Sequence, residues 1–263
     1  MQGALKKMVE GMLEAVRGCL KEELRMDIIA NNLANTTAIG FKKDRISFQT
    51  VLATVQENQS SQANTAGPTM QSGLVRVESD LSQGEIRATN NPLDFGISGP
   101  GFFKILTPDG VRYTRKGNFV TDGEGYLITQ DGYRVLGKSG PILMNGNPVE
   151  TDDAGRISEM DTAGGANFEG AEVDQLDVVE LSNPEALMKE GNLLFRADDQ
   201  TAEKPISAET VVKQGYLEGS NVNVAEEMVN MIHSTRAFES YQKAIQTLDK
   251  LDNKAVNDVG RLR

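Results

Sequence analysis

The chain has 263 residues, enough for one large domain or two modest ones. Its 27 Lys and Arg stand against 38 Asp and Glu, a formal net charge of −11, which repels nucleic acid and anionic lipid, so no nucleic-acid partner is expected. A single Cys and a single His exclude an intrachain disulfide and a tetrahedral zinc site, and no metal or cofactor is expected.

No window reaches the roughly 18 consecutive apolar residues of a membrane span. At the N-terminus Lys6 and Lys7 are followed by Glu10, Glu14 and Arg17, which leaves no apolar core for a cleavable signal peptide. From about residue 4 to 33, Leu5, Val9, Met12, Val16 and Cys19 recur at spacings of four and three, a heptad stripe. Leu20, Leu24, Ile28 and Ile29 continue it on a slightly rotated face. The pattern predicts one long amphipathic helix. Gly11 and Gly18 lie one heptad apart within it, each costing about 1 kcal/mol relative to Ala. Two readings stand open: a surface helix that tolerates glycine, or a small-residue face that admits another helix closely.

Asn31, Asn32, Leu33, Ala34, Asn35, Thr36 and Thr37, then Gly40, Phe41 and Lys42, end the helix in an ordered turn, because Asn and Thr bond their own backbone and Gly accepts positive φ. Residues 1–50 form the first unit. Residues 51–73, rich in Gln, Ser, Thr and Asn, read as an extended linker. From 74 to 215 short apolar runs such as Phe102, Phe103, Ile105 and Leu106 alternate with the turn pairs Asp109-Gly110, Asp122-Gly123, Asp131-Gly132 and Asn145-Gly146, predicting an antiparallel β domain. The last unit, 216–263, opens on Asn221 and Asn223, with Glu226 completing a capping-box pattern. Its helix carries Met231, Phe238, Tyr241, Ile245 and Leu248 in threes and fours. A helix from Val224 to Leu262 spans roughly 58 Å, a length that suggests a coiled coil. The fold class is α+β: long N- and C-terminal helices pairing as a coiled coil around a central antiparallel all-β domain.

Charge separates these parts. Residues 1–48 carry +2 and 218–263 carry −1, so the middle holds −12. Near-neutral striped helices associate, while an acidic domain stays solvated.

No reactive constellation emerges. His233, beside Ser234 and Glu239, lacks the context of a nucleophile elbow and reads as a solvated helix face. Cys19 lies on an apolar stripe with no cationic helix N-terminus or histidine nearby in sequence, the setting of a small buried hydrophobe. Gly96–Gly101 has the glycine content of a phosphate loop, but Pro100 lacks an amide and a strand, not a helix, follows. The Asp-Gly pairs miss calcium-loop spacing. Ten Met, several of them in the helices, including Met228, fit adaptable packing. No catalytic residue is assigned and the chain is not expected to be an enzyme.

Three blocks are more specific. Asn31-Asn32-Leu33-Ala34-Asn35 with Gly40-Phe41-Lys42 resembles the N-terminal signature of the flagellar rod and hook family. So do Ser82-Gln83-Gly84, Asn91-Pro92-Leu93-Asp94-Phe95 and Gly101-Phe102-Phe103, and so does Glu218-Gly219-Ser220-Asn221-Val222-Asn223 leading to Glu226-Glu227-Met228-Val229. The blocks stand at start, middle and end in the family's order. Within the family, Gly140-Pro141-Ile142 and the short β region look more like the proximal-rod type than the distal-rod type. The resemblance implies a torque-transmitting structural subunit whose terminal helices pair into an inner tube with the β domain outside. It also implies assembly with itself and other rod subunits. Export would run unfolded through the flagellar export apparatus, without a cleaved signal, to the basal body in the periplasmic space. On that reading Leu5, Val9, Met12, Val16, Leu20, Leu24 and Ile28 meet Met228, Met231, Phe238, Tyr241, Ile245 and Leu248 within or between subunits. The turn from Asn31 to Phe41 sets the chain's exit from the tube. A distal-rod or hook-type subunit is the near alternative, and a secreted stalked binding module or adhesin the alternative of another class.

Overall fold

The computed structural model describes residues 2–49, 74–159, 171–184, 187–197, 202–207 and 209–260, with side chains on the first helix described from Val9 onward. The expected linker at 51–73 and the side chain of Leu5 lie outside the described residues. Helix α1, Gln2–Ala34, and helix α2, Val224–Gly260, flank a region built of strands whose pairings are all antiparallel.

The two helices run antiparallel against each other. Gly18 faces the ring of Tyr241, and Met26 Sδ lies 3.8 Å from Thr235 Oγ1, so the chain ascends one helix as it descends the other. The face α1 buries is Ala15, Glu22 and Ile29, one heptad apart. The expected stripe is turned away from α2: Val9, Met12 and Leu20 are exposed, and Val16, Leu24 and Ile28 are only half-buried. Close approach explains the rotation. A Cβ on Gly18 would stand 2.5 Å from Tyr241 Cε1, so the contact admits small side chains and excludes a Leu or Met line. The two glycines divide between the open readings, since nothing lies within 4 Å of a Cβ on Gly11. On α2, Met231, Phe238, Ile245 and Leu248 are half-buried, whereas Met228 is exposed.

Asn223 caps α2, its Oδ1 accepting from the amides of Ala225 at 3.1 Å and Glu226 at 3.4 Å. Glu226 stays exposed and makes no return bond among the described residues, so the capping box is half formed.

Within the β region a large sheet orders its strands Met188–Glu190, Leu194–Arg196, Gly110–Thr114, Phe102–Thr107, Arg134–Gly137, Leu127–Ile128, Val120–Thr121. Phe102 and Phe103 explain why Phe102–Thr107 reads as an apolar run. Successive side chains leave a strand on opposite faces, and here each face is covered. Phe103 joins Phe95, Phe119, Leu127 and Ile157 in one core, and Phe102 joins Tyr113, Val179 and Phe195 in another. Edge-on ring contacts at 5.3 Å (Phe103–Phe119) and 5.6 Å (Phe102–Phe195) close the two layers. Three of the four expected turn pairs place a positive-φ glycine where expected, at Gly110, Gly132 and Gly146. At Asp122 the turn is longer: its Oδ1 accepts from the amides of Glu124 and Tyr126, moving the positive φ from Gly123 to Gly125.

The second core is bounded by a polar cluster. Tyr113 donates to Glu203 at 2.6 Å, and Lys104 bridges Asp177 at 2.9 Å and Glu203 at 3.1 Å. Burial alone would raise the Glu203 carboxyl, but hydrogen bonds from Tyr113 and Lys104 outweigh it and hold the group below its ordinary 4.5. A depressed carboxyl stabilises the fold above the unfolded value, and that contribution is lost as pH falls through the folded one. Thermal melts are therefore expected to lose stability below pH 4.5, with a shallower loss in Tyr113→Phe. For the helix pair, Gly18→Leu overpacks the contact by about 1–3 kcal/mol. Hydrogen exchange should show faster exchange through α1 with the β region unchanged.

Candidate functional site

Two short ladders bring the ends of the chain to one place. Phe95–Ser98 pairs with Val211–Gln214, and Ile86–Ala88 pairs with Tyr216–Glu218, delivering Glu218 and the start of α2 beside the end of α1. The helix end is tied down by its own Asn and Thr residues. Asn35 Nδ2 donates to Asn31 O at 2.9 Å and Thr36 Oγ1 to Leu33 O at 2.9 Å. Asn32, buried at the end of α1, bonds both backbone groups of Asp44, Nδ2 to the carbonyl and Oδ1 to the amide, each at 2.9 Å. A side-chain amide thus pairs with the backbone as a neighbouring strand would. Leu33 and Ala34 complete the last turn.

Beyond the turn the backbone passes so close to the β region that Gly40 is required. Its φ is +68°, and a Cβ there would lie 2.6 Å from the carbonyl carbon of Arg115. Its amide donates to Glu218 O at 2.7 Å. Phe41 is fully buried, with the Lys189 ammonium 4.0 Å from its ring centroid. That ammonium also donates to Lys42 O at 2.9 Å and to the Asp44 carboxylate at 3.0 Å.

At the centre sits Glu218, 0% exposed. Its carboxylate accepts from Lys42 Nζ at 2.7 Å, Arg115 Nη1 at 3.2 Å and the Gly84 amide at 2.8 Å. Lys42 is 1% exposed and Arg115 4%, so two cations share one carboxylate away from water. Burial is the main cause that lowers both cations from their ordinary values, and Glu218 opposes it in each case. Lys42 gives a second hydrogen to Ser82 O at 2.8 Å, and Arg115 Nη2 gives one to Gly99 O at 2.8 Å with its guanidinium 5.2 Å from the Phe102 ring. Asn221 closes the outside of the knot: Lys43 N donates to its Oδ1 at 2.7 Å, and its Nδ2 donates to Asp80 O at 2.8 Å and Ser82 O at 3.1 Å.

The geometry therefore assembles Asn32, Gly40, Phe41 and Asn221 into one joint, with Asn31, Leu33, Ala34, Asn35 and Asn223 on the helix ends that enter it. The residues expected on the helix stripes lie outside it. Arg115 and Lys189 were not legible as members. Their only signal is being cations in a stretch that carries −12, where a buried carboxylate needs a partner. Chemically the centre of the joint is closed: the Lys42 and Glu218 groups are occupied by hydrogen bonds to each other and to their neighbours, which suits a clamp. His233 is exposed while Ser234 is buried on α2, so the two do not converge. Among the described residues no group of His, Cys, Asp and Glu could hold a metal ion, and no helix is long and apolar enough to cross a membrane.

Removing the carboxylate leaves two buried cations unpaired, and breaking a buried pair costs about 3–5 kcal/mol. Glu218→Ala is expected to lower stability by that amount in urea unfolding, against about 1 kcal/mol for the exposed cap in Asn223→Ala. Equal shifts for the two variants would mean that the joint bears no more of the fold than a helix cap.

Comparison with known proteins places this geometry. Residues 213–258 match the family described as flagellar basal body rod FlgEFG protein C-terminal, and residues 96–163 the flagellar hook protein FlgE/F/G D1 domain. The flagellar basal-body rod protein FlgG of Bacillus subtilis is 31% identical over 265 residues, covering 95% of this chain and 99% of that one. FlgG of Borreliella burgdorferi is 35% identical, covering 93% and 96%, and FlgF of Caulobacter vibrioides 32%, covering 92% and 94%. With those relatives aligned over 92–95% of its length, the chain belongs to the flagellar basal-body rod protein family.

Proposed function

We propose that the chain is a structural subunit of the flagellar rod, polymerising helically to carry torque from motor to hook. The observation that carries this reading is the full-length similarity to rod proteins combined with two terminal helices that share one rigid root. Chains named FlgG and FlgF match to a similar degree, 31% and 32%, so the assignment is to the rod rather than to one level of it. In this reading α1 and α2 pair as a coiled coil, and units 1–50 and 216–263 form the inner tube. Unit 74–215 faces outward, and 51–73 links the two. The Lys42–Glu218–Arg115 knot passes torque between inner helices and outer domain without hinging, because moving either cation away from Glu218 strands a buried charge. The interface residues are those of the two stripes, Val9 to Ile28 and Met228 to Leu248. Its partners are copies of itself and other rod subunits, its location is the periplasmic part of the basal body, and it crosses the inner membrane through the flagellar export apparatus. The work is mechanical and calls for no catalysis. A stalked binding module would need a polar stalk surface, whereas Val9, Leu13 and Leu20 on α1 and Ile232 on α2 are bare apolar side chains.

Ile245 is half-buried on α2. Ile245→Asp puts a charge into the seam and is expected to abolish incorporation into rods, scored by motility and electron microscopy of basal bodies. The β region should keep its urea midpoint. Normal rods in that variant would count against the seam.

A further inference from the structure

Glu159 is 5% exposed, and its hydrogen-bond donors among the described residues are all uncharged. One carboxylate oxygen accepts from the Asn145 amide, the other from Asn145 Nδ2 at 3.1 Å and Asn147 Nδ2 at 3.3 Å. These bonds tie the run that enters strand Val149–Thr151 to the end of strand Arg156–Glu159, where Val149 stands opposite Glu159. Val149 and Ile157 both belong to the core around Phe103. The tie is made to the chain's single Asn-Gly pair. Asn145 and Gly146 are exposed, Gly146 takes a φ of +86°, and nothing lies within 4 Å of where its Cβ would stand. Other turn glycines hold their amides back: those of Gly125, Gly132 and Gly155 donate to Asp122 O at 3.1 Å, Thr129 O at 2.9 Å and Asp152 O at 2.9 Å. Among the described residues the Gly146 amide makes no such bond. A bare backbone nitrogen, with no side chain to shield it, therefore follows directly on a carboxamide.

We propose that Asn145 is a site of spontaneous deamidation, losing ammonia to become aspartate or isoaspartate with water as the only co-reactant. The Gly146 nitrogen, its proton taken up by water, bonds to Asn145 Cγ as the Cγ–Nδ2 bond breaks. Nδ2 leaves as ammonia, with the proton returned to it. Water then adds to one of the two carbonyls of the cyclic imide and breaks its bond to nitrogen. Opening at one carbonyl restores the ordinary backbone with an Asp side chain; opening at the other runs the main chain through the former side chain, one carbon longer. Asn147 is tied to the same carboxylate, but it precedes Pro148, whose nitrogen has no proton to lose, so this route is closed there. The Glu159 bonds meter the reaction, because Asn145 Nδ2 must leave its acceptor before Cγ can turn to Gly146. The product undoes the tie: a donor becomes a carboxylate beside a buried carboxylate, and attraction turns to repulsion at the mouth of the hairpin. Each event also adds one negative charge to a region that already holds −12. The chain thereby records its age in its β region, whatever it assembles with.

The test follows the full chain in heavy-oxygen water at mildly alkaline pH, in buffer and, for reference, in urea. Deamidation exchanges Nδ2 for an oxygen of water, so label in the tryptic peptide 139–156 marks it, and fragment ions separate Asn145 from Asn147. Labelled aspartate and isoaspartate are expected at Asn145 in the native chain, with none at Asn147. Glu159→Gln, which can accept at one oxygen only, should label faster at Asn145. A second variant, Asn145→Asp, fixes the product: hydrogen exchange should quicken about tenfold over residues 149–159 and stay unchanged in α1 and α2. Label at Asn145 in urea but not in buffer would overturn the proposal, since the folded turn would then protect the pair. Label in buffer at Asn192 or Asn221 as fast as at Asn145 would overturn it as well, because it would report opening of the chain rather than a property of this turn. An Asn145→Asp chain with unchanged exchange would overturn the coupling to Glu159.

Discussion

The buried carboxylate of Glu218 is the constraint on which the architecture turns. A carboxylate taken wholly out of water is costly unless it is paired and hydrogen-bonded, and its partners come from three separated stretches, Lys42, Gly84 and Arg115, with Gly40 beside Lys42 bonding the Glu218 backbone carbonyl. Satisfying one side chain therefore fixes the end of α1, the loop at residues 82–84, the β hairpin that ends at Arg115 and the run into α2. Two cations around one anion leave a positive excess, and the Ser82 and Gly99 carbonyls and the Phe102 ring supply the remaining negative potential. Such a cluster contributes less to stability than to uniqueness, because every alternative register of these segments leaves a charge unpaired.

The helices follow a different logic. Their mutual seam contains Gly18, Ala15, Glu22 and Ser234, and the Ser234 hydroxyl is buried without a partner. Small and polar residues give little apolar area to offset the ordering of two long helices. Several large aliphatic side chains, Val9, Leu13, Leu20 and Ile232 among them, sit on the outside. That distribution makes the pair weak alone and strong in company, the arrangement expected of elements whose final stability comes from assembly.

Much of this was legible in the sequence. Both helices, the capping Asn223, the β character of the middle and most of its turns follow from period and punctuation, which are local properties. The Asn-rich turn was legible as well, since Asn31 to Asn35 act on backbone within a few residues. The orientation of α1 was not. Leu5 to Leu20 form its best apolar stripe, and a pattern argument assigns the best stripe to the nearest partner, whereas the actual partner selects the face that lets backbones approach. The single clue was Gly18, whose cost in a helix interior makes sense only against something as large as the Tyr241 ring. Lys42, Arg115 and Glu218 are separated by 73 and 103 positions, and no spacing rule connects them. Only the folded ladders bring them together.

These two devices divide the mechanical task. A shaft subunit must hold its outer domain rigidly to its helices, and it must hold its neighbours firmly yet let each copy arrive singly. Buried charge suits the first requirement because electrostatic pairing in a low-dielectric site has a steep geometric dependence and is little screened by salt. Apolar faces suit the second, because they are tolerant in register, gain with each added copy and cost nothing in specificity while the copy is alone. The acidic surplus on the β region, −12 between residues 49 and 217, then acts against lateral clumping of outer domains and leaves association to the near-neutral helices. Exchanging the roles would fail on both counts: a charged helix face would weaken with ionic strength, and an apolar joint would let the outer domain swivel under load.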